Sequence, residues 1–249
     1  MARVAALLAS LLYMPAAHAH ATLIGSEPAD GAVLARAPTT VRLTFNEPVS
    51  PLIMRLVGAP GGSARELGAV AVEGQSVVVT LPELPQEAMQ GTYGVSWRVV
   101  SADGHPVGGT LSFSVGTRGD FVFVSRRDVL VRDALWAGRF ALYLVLFIGA
   151  GGAFFLAWAP GVSAAERIVG AALVIGLIAT PLTVGLQGLD ALDLPLSALD
   201  LRTAWETGLG TAYGPSALMA QFALFAGLFS LSAERIEIKR ILSLGALAG

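Results

Sequence analysis

Thr92-Tyr93-Gly94-Val95-Ser96-Trp97-Arg98-Val99 sets small or polar residues against Tyr, Val, Trp and Val at every second position. A period of two places one set of side chains on each face of an extended strand. Val41-Arg42-Leu43-Thr44-Phe45 alternates in the same way, and Ser76 to Leu81 and Thr110 to Val115 are rich in Val, Thr and aromatics. Turn clusters separate these stretches: Pro28-Ala29-Asp30-Gly31, Pro60-Gly61-Gly62 and Asp103-Gly104-His105-Pro106. Short strands punctuated by such turns over roughly a hundred residues predict a β-sandwich, with Trp97 filling its core.

The remainder of the chain has a different composition. Of 249 residues, 54% are hydrophobic and only 14% are charged, too apolar for an ordinary soluble protein. Ala134 to Trp158, Ile168 to Leu186 and Tyr213 to Leu231 are each long and apolar enough to cross a bilayer, with Pro181 as a kink in the second. Gly149 and Ala153, and Ala172 and Gly176, are small residues suited to close helix contact. Ile241 to Gly249 opens a fourth apolar segment too short to span, as expected of a truncated piece of a longer transporter-like chain. The net charge of −2 implies no nucleic-acid partner. There is no cysteine, which excludes thiolate metal sites.

The amino-terminal residues read as a secretory signal. Arg3 precedes an apolar run from Val4 to Tyr13, and Ala17-His18-Ala19 offers small residues at the positions a signal peptidase reads. The chain thus divides into a signal peptide (1–19), a β domain (20–116), a juxtamembrane linker (117–133) and transmembrane helices (134–249). The linker carries Arg118, Arg126, Arg127 and Arg132 with Phe121 and Phe123 between them, either facing lipid headgroups or simply solvated. Export of the β domain places the loop at Glu166 and Arg167 and the segment Glu234 to Arg240 in the cytoplasm, and Gln187 to Gly214 outside. Arg235, Lys239 and Arg240 obey the positive-inside rule, whereas the linker arginines break it.

Cutting after Ala19 makes His20 the first mature residue, with an α-amine and an imidazole within one chelate ring. Asp103 and His105 add a carboxylate and a second imidazole on alternate positions, with Gly104 allowing a tight turn between them. Three nitrogens and one oxygen form a tetragonal set suited to Cu(II). Asp-Gly is also a common turn pair, so the motif by itself reads first as a plain turn, and it is the placement of His20 at the cleavage site that favours a metal site. The acidic residues Asp190, Asp193, Asp200 and Glu206 read as a solvated loop or as an ion-attracting vestibule. Gln187 and Gln221 near span ends read as structural polar contacts, and Met219 is the one soft donor in the membrane part.

A family resemblance rests on three ordered stretches. They are His20-Ala21-Thr22-Leu23 with Ser26-Glu27-Pro28-Ala29-Asp30-Gly31; Leu43-Thr44-Phe45-Asn46-Glu47-Pro48-Val49; and Gly91-Thr92-Tyr93 running on through Trp97 to Pro106. Together they resemble CopC, the periplasmic copper-resistance protein. The arginine-led first span and Thr211-Ala212-Tyr213-Gly214 resemble, more loosely, its membrane partner CopD. Fusions of the two are known as CopCD or YcnJ-like proteins. The resemblance implies a cupredoxin-like sandwich, copper binding, and a role in copper uptake, transport or resistance at the bacterial inner membrane. It carries the metal ligands onto His20, Asp103 and His105, and adds Glu47, a carboxylate implicated in some members. A solvated strand-end carboxylate is the other reading of Glu47. The methionine-rich Cu(I) loop of some members is missing, since Met54 and Met89 do not form a cluster.

The expectation is therefore a Cu(II) carrier with no catalytic residues and with periplasmic copper donors or acceptors as possible partners. A copper monooxygenase built on an amino-terminal histidine brace and a membrane-anchored copper sensor are the alternatives. The monooxygenase needs an open equatorial position that Asp103 would block.

Overall fold

The computed structural model describes residues 20–58, 64–82, 90–118, 129–159 and 165–248. The expected signal peptide (1–19), Arg126 and Arg127, and both linker phenylalanines lie outside the described residues. The chain forms two compact units, Met1–Phe121 and Val122–Gly249.

The first unit is a sandwich of two sheets. Its strands are β1 (Leu23–Glu27), β2 (Ala32–Leu34), β3 (Thr40–Phe45), β4 (Ser50–Gly58), β5 (Arg65–Glu66), β6 (Val70–Glu73), β7 (Ser76–Thr80), β8 (Gly91–Val100) and β9 (Pro106–Val115). One sheet has the order β1-β3-β7-β6 and the other β2-β9-β8-β4-β5. Among the described residues all pairings are antiparallel except β2 with β9. The alternation in the sequence is the alternation of burial. Val41, Leu43 and Phe45 of β3 and Val77 and Val79 of β7 face Tyr93, Val95, Trp97 and Val99 of β8 and Leu111 and Phe113 of β9 in one core. Phe45 and Trp97 meet edge to face with ring centroids 5.2 Å apart, joining the two sheets. Trp97 fits because Gly109 stands opposite it on β9; a Cβ there would lie 2.6 Å from the indole ring.

The second unit is helical: α1 (Val129–Leu146), a π-helical turn (Phe147–Gly151), α2 (Gly152–Trp158), α3 (Glu166–Leu192), a 3-10 turn (Leu196–Ala198), α4 (Arg202–Gly210), α5 (Tyr213–Ser232) and α6 (Ile236–Ala248). Among the described residues, three helical stretches are long and apolar enough to cross a membrane, Val129–Trp158, Glu166–Leu192 and Tyr213–Ser232, with mean hydropathies of 2.2, 2.2 and 1.4. The small residues meet neighbours as their spacing suggests: a Cβ on Gly149 would lie 3.0 Å from Leu173, and one on Gly176 would lie 2.7 Å from Leu224.

The helix ends differ from expectation. The first helix begins at Val129 rather than Ala134, because Val129-Leu130-Val131 continues the apolar pattern and Val131 is buried. The second runs to Leu192, where Asp193 turns it off at φ 53, so Gln187 and Asp190 are helical rather than looped. The expected loop also contains α4. It packs onto α3 so closely that a Cβ on Gly188 would lie 1.6 Å from the Ala204 carbonyl. The last helix begins at Ile236 rather than Ile241.

Candidate metal centre

The site is built on the turn between β8 and β9. Pairing of these strands runs out to Val100 and Pro106, leaving Ser101 to His105 as the connection. The Ser101 amide donates to the His105 carbonyl at 2.9 Å, and the Gly104 amide donates to the Ser101 carbonyl at 2.9 Å. Gly104 takes φ +82, a left-handed conformation that costs a side-chain-bearing residue about 1–2 kcal/mol.

Ser101 is buried, and its hydroxyl organises the turn. That hydroxyl donates to Asp103 Oδ1 and lies 2.9 Å from the His105 carbonyl. The His105 amide in turn reaches Ser101 Oγ at 3.2 Å and Asp103 Oδ1 at 3.1 Å. One carboxylate oxygen is thus committed to the turn. The other, Oδ2, is left for a ligand's role.

The amino-terminal segment is brought to this turn by β1, whose Leu23 pairs with Phe45 of β3. Beyond that pairing the Thr22 amide donates to Asn46 Oδ1 at 2.6 Å, and the Asn46 amide donates to the Thr22 carbonyl at 3.1 Å. Ala21 is buried, so the chain leaves the core and emerges at His20.

His20 Nδ1 lies 3.2 Å and His105 Nδ1 3.0 Å from the same atom, Asp103 Oδ2. The imidazole centroids are 5.0 Å apart at 79°. The candidate ligand atoms of His20, Asp103 and His105 all fall within 4.8 Å of one another. The two imidazole side chains are 61% and 53% exposed, so the trio sits at the rim of the sandwich, open to an approaching ion.

The electrostatics favour a cation. Chiefly the Ser101 hydroxyl holds Asp103 at about 2, against desolvation, with smaller help from the His105 amide and ring. Asp103 is therefore a carboxylate at any physiological pH. Two imidazoles and one carboxylate are a borderline nitrogen and oxygen set of the kind that holds a divalent transition metal.

Glu47 stands next to this group rather than in it. Its Oε1 accepts a hydrogen bond from the Ala102 amide at 3.4 Å, one residue before Asp103. Among the described residues, Asp190, Asp193, Asp200 and Glu206 join no metal-binding trio. Glu206 instead pairs with Arg202 at 2.6 Å within α4. Gln187 is buried and accepts a hydrogen bond from Arg139, and Gln221 Nε2 donates to the Leu177 carbonyl at 3.3 Å. The latter carbonyl lies four residues before Pro181, which has no amide to offer it. Both glutamines therefore make hydrogen bonds within the helical unit.

Sequence reasoning assigned no role to Ser101 and Asn46. The available signal for Ser101 was a hydroxyl two residues ahead of Asp-Gly, where Ser commonly bonds the backbone of a turn. Nothing local marks Asn46, whose partner Thr22 is distant in sequence.

Comparison with known proteins gives a consistent picture. Residues 23–116 match the CopC domain. Copper resistance protein C of Xanthomonas campestris pv. juglandis is 36% identical over 118 residues, which cover 44% of this chain and 90% of that protein. The copper transport protein CutJ of Bacillus subtilis is 31% identical over 167 residues, 66% of this chain. The chain spans only 30% of the length of CutJ. The crystal structure of CopC from Methylosinus trichosporium OB3b aligns over 42% of this chain and all of its own, at 25% identity and a TM-score of 0.34.

Proposed function

Because this chain belongs to the CopC family, we propose that its β unit captures Cu(II) outside the cytoplasmic membrane and that its helical unit takes part in moving the ion across. The observation that supports this most is the convergence of two imidazoles on one carboxylate oxygen at an exposed rim. The copper-related names of the relatives, one for transport and one for resistance, point the same way without choosing between uptake and detoxification.

In this reading His20 is the mature amino terminus and contributes its amine as well as its ring. His105 supplies a third nitrogen. Asp103 fills the fourth equatorial position and cancels one positive charge. Glu47 steadies the Ala102 amide and with it the turn. The filled fourth position favours carriage over oxygen activation, so ascorbate with bound copper should not consume oxygen. The three long apolar helices support a membrane location, and a cleaved amino-terminal signal would put the β unit on the periplasmic side.

The test compares two versions of the chain, one beginning at His20 and one at Ala19, with intact mass confirmed. The extra residue turns the amine into an amide while leaving the imidazole in place. An amine has a free pKa of about 7.7–8.0 and binds only when deprotonated, so loading should release protons. A large loss of Cu(II) affinity is expected in the extended chain. Equal affinity in a competition titration would remove the amine from the ligand set. Cellular copper measured with and without the protein gives the direction of movement.

A further inference from the structure

Arg139 lies in α1, in the apolar helical unit. A guanidinium is charged at every physiological pH and carries five N–H donors. Here the hydrogen bond formed is from Nη2 to Gln187 Oε1, while Nε is buried without a partner. Among the described residues no carboxylate pairs with it. The cation rests instead over the ring of Tyr213, 5.0 Å from the centroid. Tyr213 is itself held, its hydroxyl 2.7 Å from Thr183 Oγ1, which donates to the Thr180 carbonyl at 2.7 Å. A charge fixed this firmly in an apolar setting without a counter-charge is costly unless something outside the protein supplies one.

The depth of the group says what that is. The helix α5 has 20 residues, about 30 Å at ~1.5 Å per residue, which is the thickness of a hydrocarbon core. Its first residue, Tyr213, must then lie at the membrane boundary, and the guanidinium stacked on it lies there too. The face of α1 around Arg139 agrees. Trp136, Phe140 and Tyr143 are 71%, 60% and 64% exposed, and Trp and Tyr collect at headgroup level. At that level the abundant anion is the phosphodiester of a lipid, and the planar guanidinium fork suits phosphate oxygens.

We propose that Arg139, oriented by Gln187 and Tyr213, is a binding site for the phosphate of a membrane lipid headgroup. This rests on the membrane location of the helical unit, which is tested separately. If alkaline carbonate strips the full chain from membranes, that location fails and this site fails with it.

The direct test is native mass spectrometry of the full chain in detergent with dioleoyl phosphatidylglycerol. Wild type should retain one tight lipid adduct, and Arg139→Gln should weaken it roughly tenfold, as expected for loss of a charge-assisted hydrogen bond. Arg202→Gln, at a side chain that is 89% exposed, should leave the adduct unchanged. Inorganic phosphate at the same concentration should not displace the lipid. Equal lipid retention by wild type and Arg139→Gln, or an equal loss in Arg202→Gln, would overturn the site. Displacement by inorganic phosphate would overturn the lipid assignment. If Arg139→Gln does not survive purification, Arg139→Lys decides, since it keeps the charge but loses the fork; unchanged lipid affinity there also overturns the proposal.

Discussion

At the scale of single residues, Asp103 divides its two oxygens between two tasks. Oδ1 holds the turn and Oδ2 faces both imidazoles. Removing His105 takes away one of few nitrogens. His105→Ala should therefore cost at least about a hundredfold in Cu(II) affinity, because even outer partners of a metal ligand are worth about 10–100-fold. Asp103→Asn should cost less, and Glu47→Gln least, since Glu47 touches the backbone. Paramagnetic resonance of each variant gives the check, and an unchanged nitrogen pattern in His105→Ala would reject the ligand set. The Ser101 hydroxyl is the main reason Asp103 titrates at about 2 rather than at its ordinary 3.8. A carboxyl with a lowered folded-state pKa adds stability above its unfolded value and loses it as pH falls toward the folded one. Ser101→Ala should move the Asp103 midpoint up toward 3.8 and remove stability that wild type keeps above that pH and loses between about 4 and about 2. Carbon-13 titration of the Asp103 carboxyl follows this, and a midpoint still near 2 would show that Ser101 is not the cause. His20, Asp103 and His105 were legible because few residue types bind copper and their positions were unusual. Ser101 and Asn46 were not, because their roles depend on which backbone groups the fold brings within reach.

At the scale of elements, the strands were readable because burial in a sandwich repeats the period of the backbone. The close approach of Gly109 to Trp97 was not, since register across two strands is a property of the pair. Gly109→Ala would push a methyl against the indole and should cost about 1–3 kcal/mol, the usual range for overpacking. A denaturant midpoint equal to wild type would mean that the ring moves aside freely. The helical unit reverses the balance. Its spans announce themselves by hydropathy, yet α4 went unseen because its sequence, Arg202-Thr203-Ala204-Trp205-Glu206, looks like a polar loop. What makes it a packed helix is the pair Gly188 and Gly208, which let two backbones touch. Both glycines are plain in the sequence, but spacing alone does not reveal which partner they meet.

At the scale of the whole molecule, every candidate copper ligand lies in the first unit, which has its own continuous core. A domain with its own core is expected to fold alone. Residues 20–118 expressed without the helices should bind Cu(II) with the affinity of the full chain, measured by the same competition titration. A much weaker isolated domain would mean that the helical unit completes the site.

The shared grip of Asp103 Oδ2 on two half-exposed rings has a consequence for traffic. The ligands are already gathered by the strands and the turn, so filling the site requires no refolding, and emptying it requires none either. With the rings open to solvent, an incoming donor can bind the ion before the last protein bond breaks. Copper would then pass by exchange, its residence time set by the acceptor and not by the carrier. Stopped-flow transfer to a chelator should accordingly speed up in proportion to chelator concentration. A rate that levels off at a fixed value would instead mean that the ion must first escape.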